Sequence, residues 1–261
     1  MPFIPIPRHE PVPVALVSRK PFGSPNHSSL YVPQNECFLS LIRNAEHSVF
    51  IQTPDLNAAP LLEAITDAVR RGVEITYYVC MGYNDAGELL PHQNGTNEMF
   101  ANRLYQNLAD NPGTGDKEAA WDRLRVHFYV AKDQVRPIHN KFKQRSCHIK
   151  LMIVDGHVAV QGSGNQDTQS WWHSQEVNVM VDSPAICRAW REGIERNQNT
   201  GVVPPDAGEL GKAYGRAATD GCWYDEKGQL GEGSLGTEPG RFAWAKGMMG
   251  AVNRARGAGG F

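Results

Sequence analysis

The spacing of apolar positions changes repeatedly along the chain, and each change marks an element. Between 58 and 71, Leu61, Leu62, Ile65, Ala68 and Val69 recur at i, i+1, i+4, i+7 and i+8, the spacing of one helical face. Pro60 stands near the start, Gly72 just past the end, and Asn57 is placed to cap it. Further helices are predicted over 36–46, 96–108, 117–123, 165–172 and 184–196. Apolar, β-branched runs predict strands over 48–53, 73–80, 124–130, 147–154, 157–161 and 175–182. Helix and strand thus alternate from 35 to 197, the pattern of an α/β layered domain. Residues 1–34 are rich in Pro and Ser and read as extended, whereas 198–261 are dominated by Gly and Ala. Trp223, Tyr224 and Trp244 in that tail need cover, which predicts partial order there. The loops 81–94 and 131–146 are long enough to form functional rims.

The densest polar information lies inside one apolar run. Cys147 to Val154 (CHIKLMIV) reads as a strand, and Asp155-Gly156 between two such runs predicts a two-residue hairpin turn. In that register 154 pairs with 157, 152 with 159, 150 with 161 and 148 with 163. Side chains alternate across a strand, so His148 and Lys150 share a face while Ile149, Leu151 and Ile153 take the other. Ser163 and Asn165 reach the His/Lys face if the returning strand runs on, and Gly162 and Gly164 beside them let a ligand phosphate approach the backbone. Asp155 lies roughly 20 Å from His148 along the strand. It is therefore a turn carboxylate, bonding nearby backbone or a basic partner and tolerating positive φ. The next strand, 174–182 (SQEVNVMVD), alternates, and Glu176 near its start is the candidate to accept a hydrogen bond from the second ring nitrogen of His148.

Composition narrows the partners. A chain of 261 residues can bury a substantial core, and a net charge of −2 with pI near 6.5 gives no global attraction to nucleic acid. The basic run 136–145 (RPIHNKFKQR) reads as a solvated loop beside an anionic site, the polyanion track being its alternative. The five cysteines, Cys37, Cys80, Cys147, Cys187 and Cys222, are odd in number and lack a CxxC pair, which argues against a disulfide framework or zinc site and for a reducing compartment. The proline-broken N-terminus is a poor signal peptide, and no run approaches the length of a spanning helix. A cytoplasmic protein touching membranes peripherally at most is the expectation. Trp171-Trp172 should place at least one ring in the core, and His157 should be an exposed hairpin residue.

His148-x-Lys150-x4-Asp155, then Gly162-Ser163-x-Asn165, then Glu176, resembles the HKD signature of the phospholipase D superfamily. The helix, Arg71-Gly72-Val73 and strand upstream are also similar to its half-domain, so the resemblance spans about 31–196. It implies an α-β-α sandwich around a mixed β-sheet, with irregular N- and C-terminal extensions. It also implies a metal-independent phosphodiesterase without cofactor, a hydrolase or phosphatidyltransferase, in which His148 attacks phosphorus to give a phosphohistidine. Lys150, Ser163 and Asn165 would hold the non-bridging oxygens. In the family a second histidine, from a second HKD copy, protonates the leaving alcohol and later activates water or an acceptor alcohol. This chain carries one full copy: His139-Asn140-Lys141 imitates its start, but Ser146 stands where the acid belongs. The missing half would come from a homodimer or from an N-terminal half of a longer enzyme. Phospholipid is the leading substrate. The alternatives are a nuclease acting on DNA or RNA, and an inactive half-site serving as a binding module.

Overall fold

A computed structural model of the protein describes residues 4–20, 30–83, 85–90, 92–113, 117–134, 137–138, 140 and 146–201, together with 245, 248, 249 and 252. Three parallel strands, β2 (Ser48–Gln52), β3 (Glu74–Val79) and β4 (Leu124–Phe128), lie side by side. Four antiparallel strands complete the sheet: β1 (Val14–Arg19), β5 (Leu151–Val154), β6 (Val158–Gly162) and β7 (Glu176–Asp182). The order across the mixed, open, seven-stranded sheet is β1-β7-β6-β5-β2-β3-β4.

Alternation within the strands fills two cores. Val49 and Ile51 of β2, Ile75, Tyr77 and Val79 of β3, and Met152 and Val154 of β5 enter the larger core. Phe50, Tyr78, Leu151 and Ile153 enter the smaller one on the opposite face. Helices α1 (Pro33–Asn44), α2 (Ala59–Arg70), α4 (Asn97–Asp110), α5 (Lys117–Arg123) and α6 (Thr168–Trp172) lie with the larger core; α7 (Pro184–Asn197) covers the smaller through Cys187 and Ile194. The result is the expected α-β-α layering. In α2 Leu61, Ile65, Ala68 and Val69 of the predicted stripe are buried, Leu62 is partly buried and Ala64 joins them, and Gly72 adopts φ +98° past its end.

Four local expectations need correcting. The first is the hairpin register: Val154 pairs with Val158 and Leu151 with Gln161, one residue away from a two-residue turn. Asp155 and Gly156 do take positive φ, 51° and 64°, and His157 N donates to Val154 O at 2.9 Å. His157 is nevertheless drawn sideways, its carbonyl accepting from Ser183 N at 3.0 Å and its ring 3.0 Å from Asp182, which leaves it as an extra residue outside the ladder. Secondly, β5 begins at Leu151, so His148 and Lys150 sit on the segment leading into it. Thirdly, the Pro/Ser-rich N-terminal segment contributes β1, paired antiparallel with β7, and the loop 81–94 contains a short helix, α3 (Asp85–Glu88). Lastly, Asn57 does not cap α2, whose N-cap is Ala58. Its amide instead joins two loops, donating to Gly95 O at 2.9 Å and accepting from Thr168 N at 2.9 Å.

Asp155 behaves as a turn carboxylate. Its two oxygens accept from the backbone N–H groups of Glu46, His47 and Ser48 at 3.0, 2.8 and 2.7 Å, tying the hairpin to the start of β2. Those donors hold the carboxyl below its usual pKa against the opposing effect of burial, the largest single influence. Trp171 is fully buried, and His157 is exposed. Cys37, Cys80, Cys147 and Cys187 are free thiols. Cys222, His139, Lys141, most of the basic run 136–145 and the tail aromatics lie outside the described residues. Among the described residues no helix is long and apolar enough to cross a membrane.

Candidate active site

The strands β5, β6 and β7 meet at one end of the sheet, and the sequence-predicted residues gather there. With the shifted register, Lys150 O faces Gly162, whose N–H points to it at 3.4 Å, and the β5–β6 ladder ends. Ser163 is then carried by β7: its N–H donates to Val177 O at 3.0 Å, and its Oγ accepts from Val177 N at 3.0 Å. The expected pairing of His148 with Ser163 is thus replaced by a pairing of Ser163 with β7. Gly162 permits this, because a Cβ there would lie 2.4 Å from Val177 O and 2.5 Å from Asn178 Cα.

Glu176 organises the hydroxyls. Its Oε2 accepts from Ser163 Oγ at 2.5 Å and its Oε1 from Ser170 Oγ at 2.8 Å, with the residue 7% exposed. Ser170 in turn accepts from Asn165 N at 3.1 Å. Asp167, the N-cap of α6, accepts from Ser170 N at 2.6 Å and from Asn165 Nδ2 at 2.9 Å. Asn165 Oδ1 is buried and has no hydrogen-bond partner among the described residues. Burial raises the Asp167 carboxyl above its usual pKa, although Ser170, Asn165 and Lys150 all favour the charged form.

Lys150 is largely buried, and its ammonium donates to His148 O at 2.9 Å. Burial lowers its pKa, while Cys147, Glu176, Asp167 and Cys80 nearby favour the cation. His148 is exposed, its ring stacked on Tyr83 with centroids 6.3 Å apart at 30°. Desolvation first, then the Lys150 charge, lower its pKa from the ordinary value. The exposed ring of His148 thus lies beside Lys150, and Lys150, Asn165, Asp167, Ser170 and Glu176 form a buried polar layer with the exposed Ser163 at its edge.

The turn bearing Ser163 and Asn165 is locked by amides. Gly164 N donates to Asn178 Oδ1 at 3.1 Å, Asn178 Nδ2 to Gln34 Oε1 at 2.8 Å, and Gln34 Nε2 to Ser170 O at 3.0 Å. The fold brings His148, Lys150, Ser163, Asn165 and Glu176 into one neighbourhood, together with Asp167, Ser170 and Tyr83, which the sequence did not single out. Asp167 and Ser170 had a local signal, a capping Asp three residues ahead of a Ser at a helix start. Tyr83 had none, since only the fold brings the loop after β3 to His148.

Residues 38–197 match the family model described as "Cardiolipin synthase, PLD-like domain". No curated protein gives a significant match. Among solved structures the chain is similar to Nuc, a phospholipase D family member from Salmonella typhimurium, at 17% identity over 71% of this chain and 93% of that one, with a TM-score of 0.45. NucT from Helicobacter pylori matches at 15% identity over 72% and 98%, with a TM-score of 0.45. Phosphatidylserine synthase from Haemophilus influenzae matches at 15% identity over 78% of this chain and 45% of that one, also with a TM-score of 0.45.

Proposed function

The chain belongs to the phospholipase D-like family, and from that premise we propose that it is a phosphodiesterase acting through a covalent phosphohistidine at His148, with phospholipid as its substrate. The observation that carries this is the exposed imidazole of His148 set beside the buried Lys150 and Asn165 and the exposed Ser163, donors suited to a phosphate. A ring nitrogen of His148 attacks phosphorus and the P–O bond to the alcohol breaks. The leaving oxygen takes a proton from a second acid. Water or an acceptor alcohol then gives its proton to that group and attacks the phosphohistidine, releasing the imidazole. Lys150, Ser163 and Asn165 neutralise the charge that builds on the non-bridging oxygens.

Glu176 has a second role in this scheme. Each carboxylate oxygen offers two acceptor sites, so with Ser163 and Ser170 bound it retains room for the N–H of His148. That bond would fix the tautomer and stabilise the imidazolium character acquired on attack. The second acid is a second His148, supplied by another copy of the chain. No step calls for a metal ion or cofactor. Phospholipid is preferred because the matching family model is described as a cardiolipin synthase domain and the net charge is −2.

His148→Asn should abolish turnover and phosphate labelling of the protein while leaving the fold intact, and EDTA should leave the wild-type rate unchanged. Phosphatidylcholine, cardiolipin and single-stranded DNA assayed in parallel, with salt varied, identify the substrate. Faster cleavage of DNA than of either lipid would replace the lipid assignment with a nuclease. Turnover surviving in His148→Asn would remove the nucleophile.

A further inference from the structure

Arg19 ends β1 and is 1% exposed, an unusual position for a guanidinium, which is seldom fully buried without a compensating charge. It stands directly opposite Glu176 in the β1–β7 ladder. Residues facing each other across an antiparallel pair send their side chains to the same face, with Cβ atoms about 5 Å apart. Burial alternates accordingly: Val17 packs against the larger core, and Glu176 and Asn178 are buried on the same side of β7. The buried end of β1 therefore delivers a cation to the carboxylate that binds both site hydroxyls. Arg19 also lies outside the span matched by the family model, which begins at residue 38.

We propose that Arg19 is a positioning residue of the phosphoryl-transfer site, holding the Glu176 side chain in place as the acceptor for Ser163 and Ser170. This rests on the His148 chemistry proposed above and adds to it a strand from the N-terminal segment. The physical need is plain. Glu176 is buried, accepts two hydroxyl bonds, and shares its surroundings with the Asp167 carboxyl. These acidic groups face one ammonium, Lys150, which enters from the segment before β5. Arg19 supplies the second cation. The remaining elements packed there contribute the neutral amides Gln34 and Asn35 and the thiol of Cys37 from α1, Ser170 from α6, and His148 beside Lys150.

The test uses the full chain and bis(p-nitrophenyl) phosphate, with kcat and KM measured separately and thermal melting in parallel. Arg19→Gln should lower kcat/KM roughly ten-fold, chiefly through kcat, by releasing the Glu176 side chain from its place beside the two hydroxyls. Arg19→Lys, which keeps the charge, should restore most of that loss. In a Glu176→Gln background, Arg19→Gln should change kcat/KM by less than about two-fold, since the two residues act on one function. An Arg19→Gln enzyme with unchanged kcat/KM would overturn the proposal while leaving the His148 chemistry standing.

Should Arg19→Gln fail to fold, the double variant decides. Recovery of the fold in Arg19→Gln/Glu176→Gln supports the charge pair, and continued unfolding assigns Arg19 to packing alone and overturns it. Wild-type protein that neither turns over nor becomes phosphorylated refutes the His148 chemistry instead. The melting cycle then judges the pair by the same criterion: additive losses overturn it, and a milder loss in the double variant supports it.

Discussion

His148 and Lys150 divide the work of the site by their solvation. The imidazole is exposed enough to reach a substrate, and the ammonium two positions on is buried, so its charge reaches the ring through little water. Desolvation and this charge both lower the histidine's pKa from 6.5. Attack needs one His148 ring neutral and leaving-group protonation needs its counterpart charged, so the lowered pKa moves the best balance of the two forms to lower pH than an ordinary histidine would give. Lys150→Met removes one of the two causes. The titration midpoint of His148, followed by NMR of the labelled imidazole, should rise in that variant while the desolvation effect remains. A midpoint unmoved or lower would show that Lys150 does not act on the ring. The same substitution should cost about two orders of magnitude or more in kcat/KM, the scale for losing a charged donor to a transition-state oxygen.

The elements position these residues through close contacts that spacing alone cannot show. Gly162 and Gly164 flank Ser163, yet their surroundings differ. A Cβ at 162 would meet β7 backbone at 2.4 and 2.5 Å, whereas at 164 its nearest contact is the end of the Gln34 side chain at 2.6 Å. Gly162→Ala must therefore push β6 from β7 and displace Ser163, lowering the melting temperature and kcat/KM together. Gly164→Ala should be milder on both measures, because it displaces one side-chain amide and its bonds to Asn178 and Ser170 instead of β7 backbone. Equal effects would contradict the placement of the β6–β7 contact. At the turn, Asp155→Ala loses an acceptor for three N–H groups and places a Cβ residue without side-chain compensation at φ 51°. A loss of about 2 kcal/mol in denaturant unfolding is expected. Its folded pKa is depressed, so this stabilisation is complete above the unfolded value and fades as pH falls through the folded one.

Most elements were legible because their apolar periodicity survives in the sequence. α2 and β7 each carry an uninterrupted pattern, and their observed ends lie within a residue or two of the predicted ones. The hairpin register was not legible, since the pull on His157 from Ser183 and Asp182 comes from across the sheet. The strand β1 was hidden for another reason. VALVSR is short, follows a run of prolines, and leaves Val14 and Leu16 exposed at the sheet edge, so it lacks the buried alternation that marks an inner strand. The motif residues were visible as a pattern, whereas Arg19 and Tyr83 enter the site only through the fold.

At the scale of the whole molecule, the proposed chemistry asks for one histidine to attack and another to protonate, and the sequence carries one complete motif. A homodimer in which each copy lends its His148 to a shared centre meets that demand, and it makes a quantitative prediction. Let wild-type and His148→Asn chains be co-expressed in known ratios so that they mix at random. A shared centre works only when both copies are wild type, so activity should follow the square of the wild-type fraction. Centres complete within one chain would give a linear decline instead. Capture of untagged wild-type chain by a tagged variant from the same samples checks that the two kinds of chain assemble together, which excludes a linear result caused by segregation. A square law with intact assembly supports the shared centre. A linear law with intact assembly rules it out and moves the search for the second acid to the neighbours of His148 within its own chain, beginning with Tyr83, whose ring already lies against it.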